Sequence, residues 1–555
     1  MGGITAATVV AGTAGVAALT GLVGEAEAAA VGPPSDRRAD VSERIRVRAA
    51  EFNRNITPDD LQHPSNGDEE RFPFIAMYSK GLPHDANGEV DTSAYLALVK
   101  AMRTGRQADF NAIPLAGNRR LVNPQAGLAF DLQGADSHRL LIPPAPAFNS
   151  KTTAAEIAEN YWMALLRDVP FSQYATHPIA VDAAADLDAY GTAFKGARTD
   201  AAGNPTGVTT ANLFRGVFPG DLAGPWLSQF FLLSTPFGAN EVNPRIISTT
   251  PGVDYMTDFD TWLAVQRGVS QGPDAFNIDR GFMRNGRDIG EFVHIDVLFQ
   301  AYFQAFLVLA SLRAPLDENN PYNGNPTQEG FGTFGGPHIA TLLCEVSTRA
   351  LKAIWYQKWR VHRRLRPEAL AGRIDRILNA GQNYPIYPQV LDSLESGRLS
   401  SYFPNPATGS FLLPMAFPEG SPLHPAYGSG HATVAGACVT ILKAFFNEST
   451  RIVDLSFPNG APVQPVVSND AGTDLEIYTG ADAAELTVGG ELNKIASNVA
   501  IGRNIAGVHW RSDATEAMRL GEAVAISILR DQRATYNEAF NGFSLTKFDG
   551  TTITV

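Results

Sequence analysis

Apolar residues recur at three- and four-residue spacing through most of the chain beyond residue 150, and this period predicts helices. "AEIAENYWMALLRDV" is one such run and stops before Pro170. "EFVHIDVLFQAYFQAFLVLASLR" is apolar nearly all round, so it is expected to be one central, buried helix. "PHIATLLCEVSTRALKAIWYQKWRVHRRL" predicts another long helix, ended at Arg366-Pro367 because a residue before proline is pushed out of the α region. "ELNKIASNVAIGRNIAG" and "ATEAMRLGEAVAISILRDQRATYNEAF" complete the set. Before residue 150 the chain is rich in Pro, Gly and Asn and reads as a surface wrap with short helices such as "TSAYLALVKAMRT".

Strand signals are few. Asn459-Gly460 in "IVDLSFPNGAPVQPVV" and Asp549-Gly550 in "SLTKFDGTTITV" each mark a hairpin turn. Strands and helices do not alternate, and no period of about 20 to 50 residues repeats, so neither a parallel sheet nor a solenoid is expected. The fold class is mainly α: helical bundles with small β-hairpins. The chain divides into residues 1–30, an N-terminal loop-rich and helical region at 31–270, and a helical region at 271–555 that carries the candidate chemistry.

Residues 1–30 are uncharged until Glu25 and rich in Ala, Gly and Thr. They read either as a targeting segment, with Ala26-Glu27-Ala28 as a small-residue cleavage site, or as a disordered tail. The first reading makes the protein secreted or periplasmic, the second soluble and intracellular. Ala, Gly and Thr transfer poorly into lipid, so no stable membrane association is expected. The net charge of −13 argues against a nucleic-acid partner and makes any tight basic cluster conspicuous. The two cysteines, Cys344 and Cys438, cannot form a disulfide framework or a zinc knuckle. Cys438 lies in an apolar run and reads as an inert buried thiol, whereas Cys344 could pair with another chain.

Three clusters stand out against that acidic background. The first is "KWRVHRRLRPE", with Lys358 on a helix and Arg366 just beyond it. Arg360, Arg363 and Arg364 read as a solvated basic face. The second is "HPAYGSGHATVAGACVTILKAFF", where His424, Ser429, Gly430 and His431 crowd the start of a helix. Helix starts expose free N–H groups and the positive dipole end, and glycine lets a ligand approach the backbone. Ser429 adds a hydroxyl, and His431 a proton carrier. The third is "GRNIAGVHWRSD", with Arg503, His509 and Asp513. Asp513 is expected to cap the following helix with Glu516 as its partner, a role compatible with orienting His509. Asp288 and Asp296 are candidate acidic partners of the arginines. The combined donors suit a small, multiply charged tetrahedral oxyanion such as phosphate or vanadate.

Lys358…Arg366-Pro367, Ser429-Gly430-His431 and Arg503…His509…Asp513 resemble the three motifs of the vanadium haloperoxidase and PAP2-type acid phosphatase superfamily. The likeness is strongest over roughly 280–530. Seven residues separate Lys358 from Arg366, one more than in the phosphatases and as in the bromoperoxidases. His424 resembles the additional active-site histidine of bromoperoxidases. "RDIGEFVHIDVLFQAYFQAFL" and "NYWMALLRDVPF" are similar to algal and cyanobacterial vanadium bromoperoxidases.

The resemblance implies two four-helix bundles, a vanadate cofactor and no haem. It implies that His509 supplies the protein–metal bond, and that Lys358, Arg366, Ser429, Gly430 and Arg503 hold the vanadate oxygens. His431 takes protons from hydrogen peroxide, His424 tunes His431 and the halide site, and Lys358 polarises the bound peroxide. Trp355 lies near the halide pocket, unless it is simply core. The implied reaction is peroxide-dependent oxidation of bromide or iodide, with chloride left open, which halogenates a small organic acceptor, in a homo-oligomer. The main alternative is a PAP2-type acid phosphatase with His509 as nucleophile. A zinc hydrolase using His424, His431 and His509 is disfavoured because Lys and Arg would repel a dication. A non-enzymatic helical assembly is disfavoured because every motif residue is present.

Overall fold

The helices that build the site are α1 (Lys151–Leu165), α2 (Gly286–Ile295), α3 (Gln300–Ser311), α4 (Gly336–Tyr356), α5 (Pro367–Ala380), α6 (Gly430–Phe445), α7 (Val488–Ile505) and α8 (Arg511–Arg533). They are seen in a computed structural model that describes residues 35–55 and 62–555. Residues 1–30, read above as a targeting segment or tail, lie outside the described residues.

The chain is mainly α, as its periodicity predicts. Helix α6 is buried along almost its whole length and packs on α8, α4 and α7. A second group forms around α1, which touches α5, Pro178–Asp188 and Pro388–Glu395. Helix α1 also touches α7, which joins the two groups. Among the described residues the strands form four two-stranded antiparallel pairs.

The closest helix approach is between α6 and α8, and glycine permits it. A Cβ on Gly436 would lie 2.0 Å from the Met518 carbonyl, and one on Gly521 would lie 2.0 Å from the Thr433 carbonyl. Each helix therefore presents a bare backbone to the other, and α6 is held firmly at the centre.

Three local expectations are corrected. The run from Glu291 to Arg313 is two helices, α2 and α3, bent by 100°. Asp296 is extended (φ −65°, ψ 154°), and Val297 N donates to the Gln300 side chain instead of the Val293 carbonyl. The run through Lys358 ends earlier than proline requires. A π-helical turn, Gln357–His362, follows α4, and Arg363 takes the left-handed conformation at φ 35°. Such a conformation costs a non-glycine residue about 1–3 kcal/mol unless its surroundings hold it. At Asn459-Gly460 the hairpin turn forms but stays short: Gly460 N donates to Phe457 O, Phe457 N to Ala461 O and Val463 N to Leu455 O around an antiparallel Ser456–Pro462 bridge. Val466–Ser468 pairs instead with Leu475–Ile477. The C-terminal hairpin, Ser544–Thr546 with Thr552–Thr554, forms as expected. The helix Thr92–Thr104 also forms as expected.

Cys438 is fully buried against Ser347, and its thiol is pushed up to about 12 by burial, which fits an inert core group. Among the described residues no single helix is long and apolar enough to cross a membrane.

Replacing Gly521 by Ala should force α6 and α8 apart and destabilise the protein by about 1–3 kcal/mol. Denaturant unfolding measures this, and an unchanged midpoint would show that the close approach is dispensable.

Candidate functional site

The three sequence clusters meet at one cavity of about 280 Å³. Its lining includes Trp355, His424, Gly430, His431, Arg503 and His509. Each side chain is delivered by the end or the break of a helix, where backbone groups are free to hold it.

The π turn carries Lys358, which is fully buried. Its Nζ donates to the carbonyls of Pro425 (2.8 Å) and Ala426 (2.9 Å) and lies 5.7 Å from the Trp355 ring centre. Arg366 is the residue before α5 and is 1% exposed. It donates to the carbonyls of His424 and Val508, to His509 Nε2 (3.0 Å) and to His424 Nδ1 (2.9 Å). Arg503, in the last turn of α7, donates Nη1 to the Val293 carbonyl at 2.6 Å. That carbonyl is available because α2 breaks at Asp296. Arg503 Nε is buried without a hydrogen-bond partner.

These contacts fix the state of the His509 imidazole. A guanidinium can only donate, so His509 Nε2 must present a lone pair, whereas His424 Nδ1 meets both an Arg366 N–H and, at 3.2 Å, the Pro425 carbonyl, which ask opposite states of it. The His509 proton is therefore on Nδ1, donated to Asp513 Oδ2 at 2.8 Å. Burial first, then Arg366 and Lys358, hold the His509 pKa well below its ordinary value. His424 is lowered for the same reasons, burial leading. His431 Nε2 contacts Asp296 Oδ1 at 3.0 Å. Burial lowers the His431 pKa, and Asp296 opposes that shift.

Ser429 is the N-cap of α6; its hydroxyl oxygen accepts from Ala432 N at 3.3 Å and keeps its own proton to donate. Gly430 opens the helix, so its N–H has no intrahelical acceptor. A Cβ there would lie 3.1 Å from the Trp355 ring. Trp355 stands 4.7 Å from the His424 ring, ring centre to ring centre, and its indole N–H donates to Val122 O. It belongs to the cavity wall rather than to the core.

Most buried cations are ion-paired, Lys443 and Arg373 being held singly by an amide oxygen or by backbone carbonyls, but this site groups three without an ion pair. Buried Lys80 pairs with Glu368, Arg287 with Asp168 and Asp254, Arg364 with Glu156 and Asp513, and Arg511 with Glu159. Lys358, Arg366 and Arg503 form no ion pair with a carboxylate among the described residues. Burial, then the neighbouring Arg366, pulls Lys358 well below the usual lysine range. Arg366 and Arg503 are each lowered to about 10, burial leading. Three basic groups without an ion pair, one N–H, one hydroxyl and one imidazole lone pair form a donor set that an oxyanion satisfies.

Several sequence expectations change. Arg363 and Arg364 are buried, not a solvated face: Arg363 pairs with Glu69, and Arg364 links Glu156 to Asp513. Arg360 is half-buried and donates to Met102 O. Asp513 is not the N-cap. Helix α8 starts at Arg511, and Asp513, two residues in, accepts from Trp510 N (3.2 Å) and His509. Glu516 pairs with Arg519. Asp288 faces Arg284, away from the cationic cavity. Asp296 acts on Arg503 only through space and meets His431 directly. Sequence reasoning missed Glu156, which anchors Arg364 and so steadies Asp513. A carboxylate inside an apolar helical run was the available signal.

Residues 346–538 match the family model described as the VCPO second helical-bundle domain. A vanadium-dependent bromoperoxidase of Corallina pilulifera is 38% identical over 95% of this chain and all of its own length. One from Ascophyllum nodosum is 35% identical over 91% of this chain and 90% of its own. The homohexameric structure of the second vanadate-dependent bromoperoxidase of Ascophyllum nodosum superposes with a TM-score of 0.85 at 35% identity, covering 93% of this chain and 90% of that one.

If the three cations lack an internal counter-charge, Arg503→Met should leave the anion-free protein at least as stable as the wild type. Inorganic phosphate should raise the wild-type Tm, by mass action worth about 2.7 kcal/mol at a hundred times Kd, and raise that of the variant less. Thermal unfolding with and without phosphate reads both.

Proposed function

Because this chain belongs to the vanadium-dependent bromoperoxidase family, we propose that its cationic cavity holds vanadate and that the protein oxidises bromide with hydrogen peroxide. The observation that carries the reading is the convergence of Lys358, Arg366 and Arg503, without carboxylate partners, on the lone-pair side of His509.

Bound vanadate supplies Lewis-acid activation of peroxide with no need for the metal to change oxidation state. The chain supplies everything else. Asp513 keeps the proton on His509 Nδ1, so Nε2 retains the lone pair that a metal requires. Arg364 and the Trp510 N–H hold Asp513 in turn. Lys358, Arg366, Arg503, the Ser429 hydroxyl and the Gly430 N–H are the donors for the oxyanion.

His431 accepts a proton from incoming hydrogen peroxide, and Asp296 stabilises the imidazolium that results. Bromide, peroxide and one proton give hypobromous acid and water, so each turnover needs a proton returned. His431 sits at the cavity wall, 16% exposed in its side chain, where it can exchange with solvent. Lys358 supplies a positive charge beside the Trp355 face. Trp355, His424, Leu298, Leu351 and Phe417 line the rest of the cavity and form its halide-facing wall. The acid-phosphatase alternative gains no support from these relatives. The hexameric relative supports a homo-oligomer for this chain as well.

His509→Ala should abolish tight vanadate binding and bromination of a phenolic dye. The assay is run with peroxide before and after orthovanadate addition, beside p-nitrophenyl phosphate hydrolysis. Full bromination by that variant would remove His509 as the ligand. Asp296 raises the His431 pKa against burial, so Asp296→Asn should lower it further. Neutral His431 then persists to lower pH, and the acidic limb of kcat/KM for peroxide should move to lower pH.

A further inference from the structure

We infer that Asp274, Glu291 and His294 form a divalent-cation site of their own, behind one wall of the oxyanion cavity. This goes beyond the peroxidase reading, which uses none of these side chains.

Glu291 and His294 stand three residues apart on α2 and so share a face of that helix. Asp274 comes from the loop before the strand Phe276–Gly281. One ligand atom from each lies within 4.8 Å of the others. His294 Nδ1 is 3.4 Å from Glu291 Oε2 and 3.7 Å from Asp274 Oδ2. Tetrahedral ligation at the usual zinc distances sets neighbouring ligand atoms about 3.4 Å apart. A small contraction of the Asp274 loop completes that spacing.

The second observation is independent of the clustering. Glu291 is 1% exposed, and neither of its carboxylate oxygens has a hydrogen-bond partner. Asp274 Oδ1 and His294 Nδ1 are also buried without one. A buried carboxylate left without a donor is costly, and this one faces the imidazole nitrogen across an open gap. A cation between them satisfies all three groups at once.

The outer contacts match what a ligating histidine needs. His294 Nε2 lies 3.0 Å from Glu419 Oε1, which accepts its proton. Burial lowers the His294 pKa, but Glu291 and Glu419 outweigh it and raise it to about 9, so a binding metal displaces the Nδ1 proton to reach the lone pair that faces Glu291 and Asp274. Phe417 stacks on the imidazole at 3.7 Å and locks its plane. One imidazole with carboxylates favours Zn²⁺ or Mn²⁺ over Ca²⁺, which takes oxygen ligands alone. The basic groups that would repel a dication at His424, His431 and His509 are offset here by three carboxylates. His294, Phe417 and Glu419 also line the oxyanion cavity, so an occupied site stiffens its wall.

The test is isothermal titration of ZnCl₂, and separately MnCl₂, into chelator-treated full-length protein reloaded with orthovanadate. One equivalent of metal per chain is expected. Asp274→Asn and Glu291→Gln should each weaken binding at least tenfold, and His509→Ala should not. Asp274 is on a loop and partly exposed, so its variant keeps the test decisive if Glu291→Gln fails to fold. Absence of stoichiometric binding, unchanged affinity in Asp274→Asn, or loss of binding in His509→Ala would each overturn the assignment.

Discussion

Three cations buried together without a direct carboxylate partner are the constraint on which this structure depends. A protein interior normally pairs each charge that it removes from water. This chain does so for Lys80, Arg287, Arg364 and Arg511; it departs from it singly at Lys443 and Arg373 and as a group at Lys358, Arg366 and Arg503. Carbonyl oxygens from the 424–426 loop, from Val508 and from the end of α2 hold them in place. Carbonyls orient a cation but leave its net charge in place, so the site remains set for an anion.

The scaffold supplies those carbonyls by interrupting its helices. An unbroken α2–α3 would tie up the Val293 carbonyl and carry Asp296 away from His431. An unbroken α4 would place no π turn at Lys358. The left-handed Arg363 that follows is held by Glu69 and by the carbonyls of Trp359 and Arg360. Local strain is thus accepted where functional groups must be aimed, and the surrounding ion pairs stabilise it.

Paired charges on α1 and α8 brace one side of the cavity. Arg364 ties Asp513 to Glu156 of α1, and Arg511 ties α8 to Glu159 of the same helix. Helix α1 therefore serves the site from outside the three motifs. Asn160, one turn beyond Glu156, donates to the carbonyls of Asn504 and His509 and joins α1 to the segment that presents His509.

The sequence by itself determined the helical class, the order of the long helices and the three residue clusters that the fold brings to one cavity. Periodicity follows from burial of one helix face, and ligand types follow from local chemistry, so both are written residue by residue. It could not show that Arg364 is interior and Arg360 only partly so, because a run of basic residues has the same pattern on a solvated face as against a buried carboxylate. It could not separate Asp296 from Asp288, since both stand in one apolar run and only the break in the helix decides which faces His431. Nor could it place Glu156 or Glu291, whose partners are distant in the chain. Those choices belong to the tertiary structure, because the free energy of a buried charge is set by what surrounds it in space.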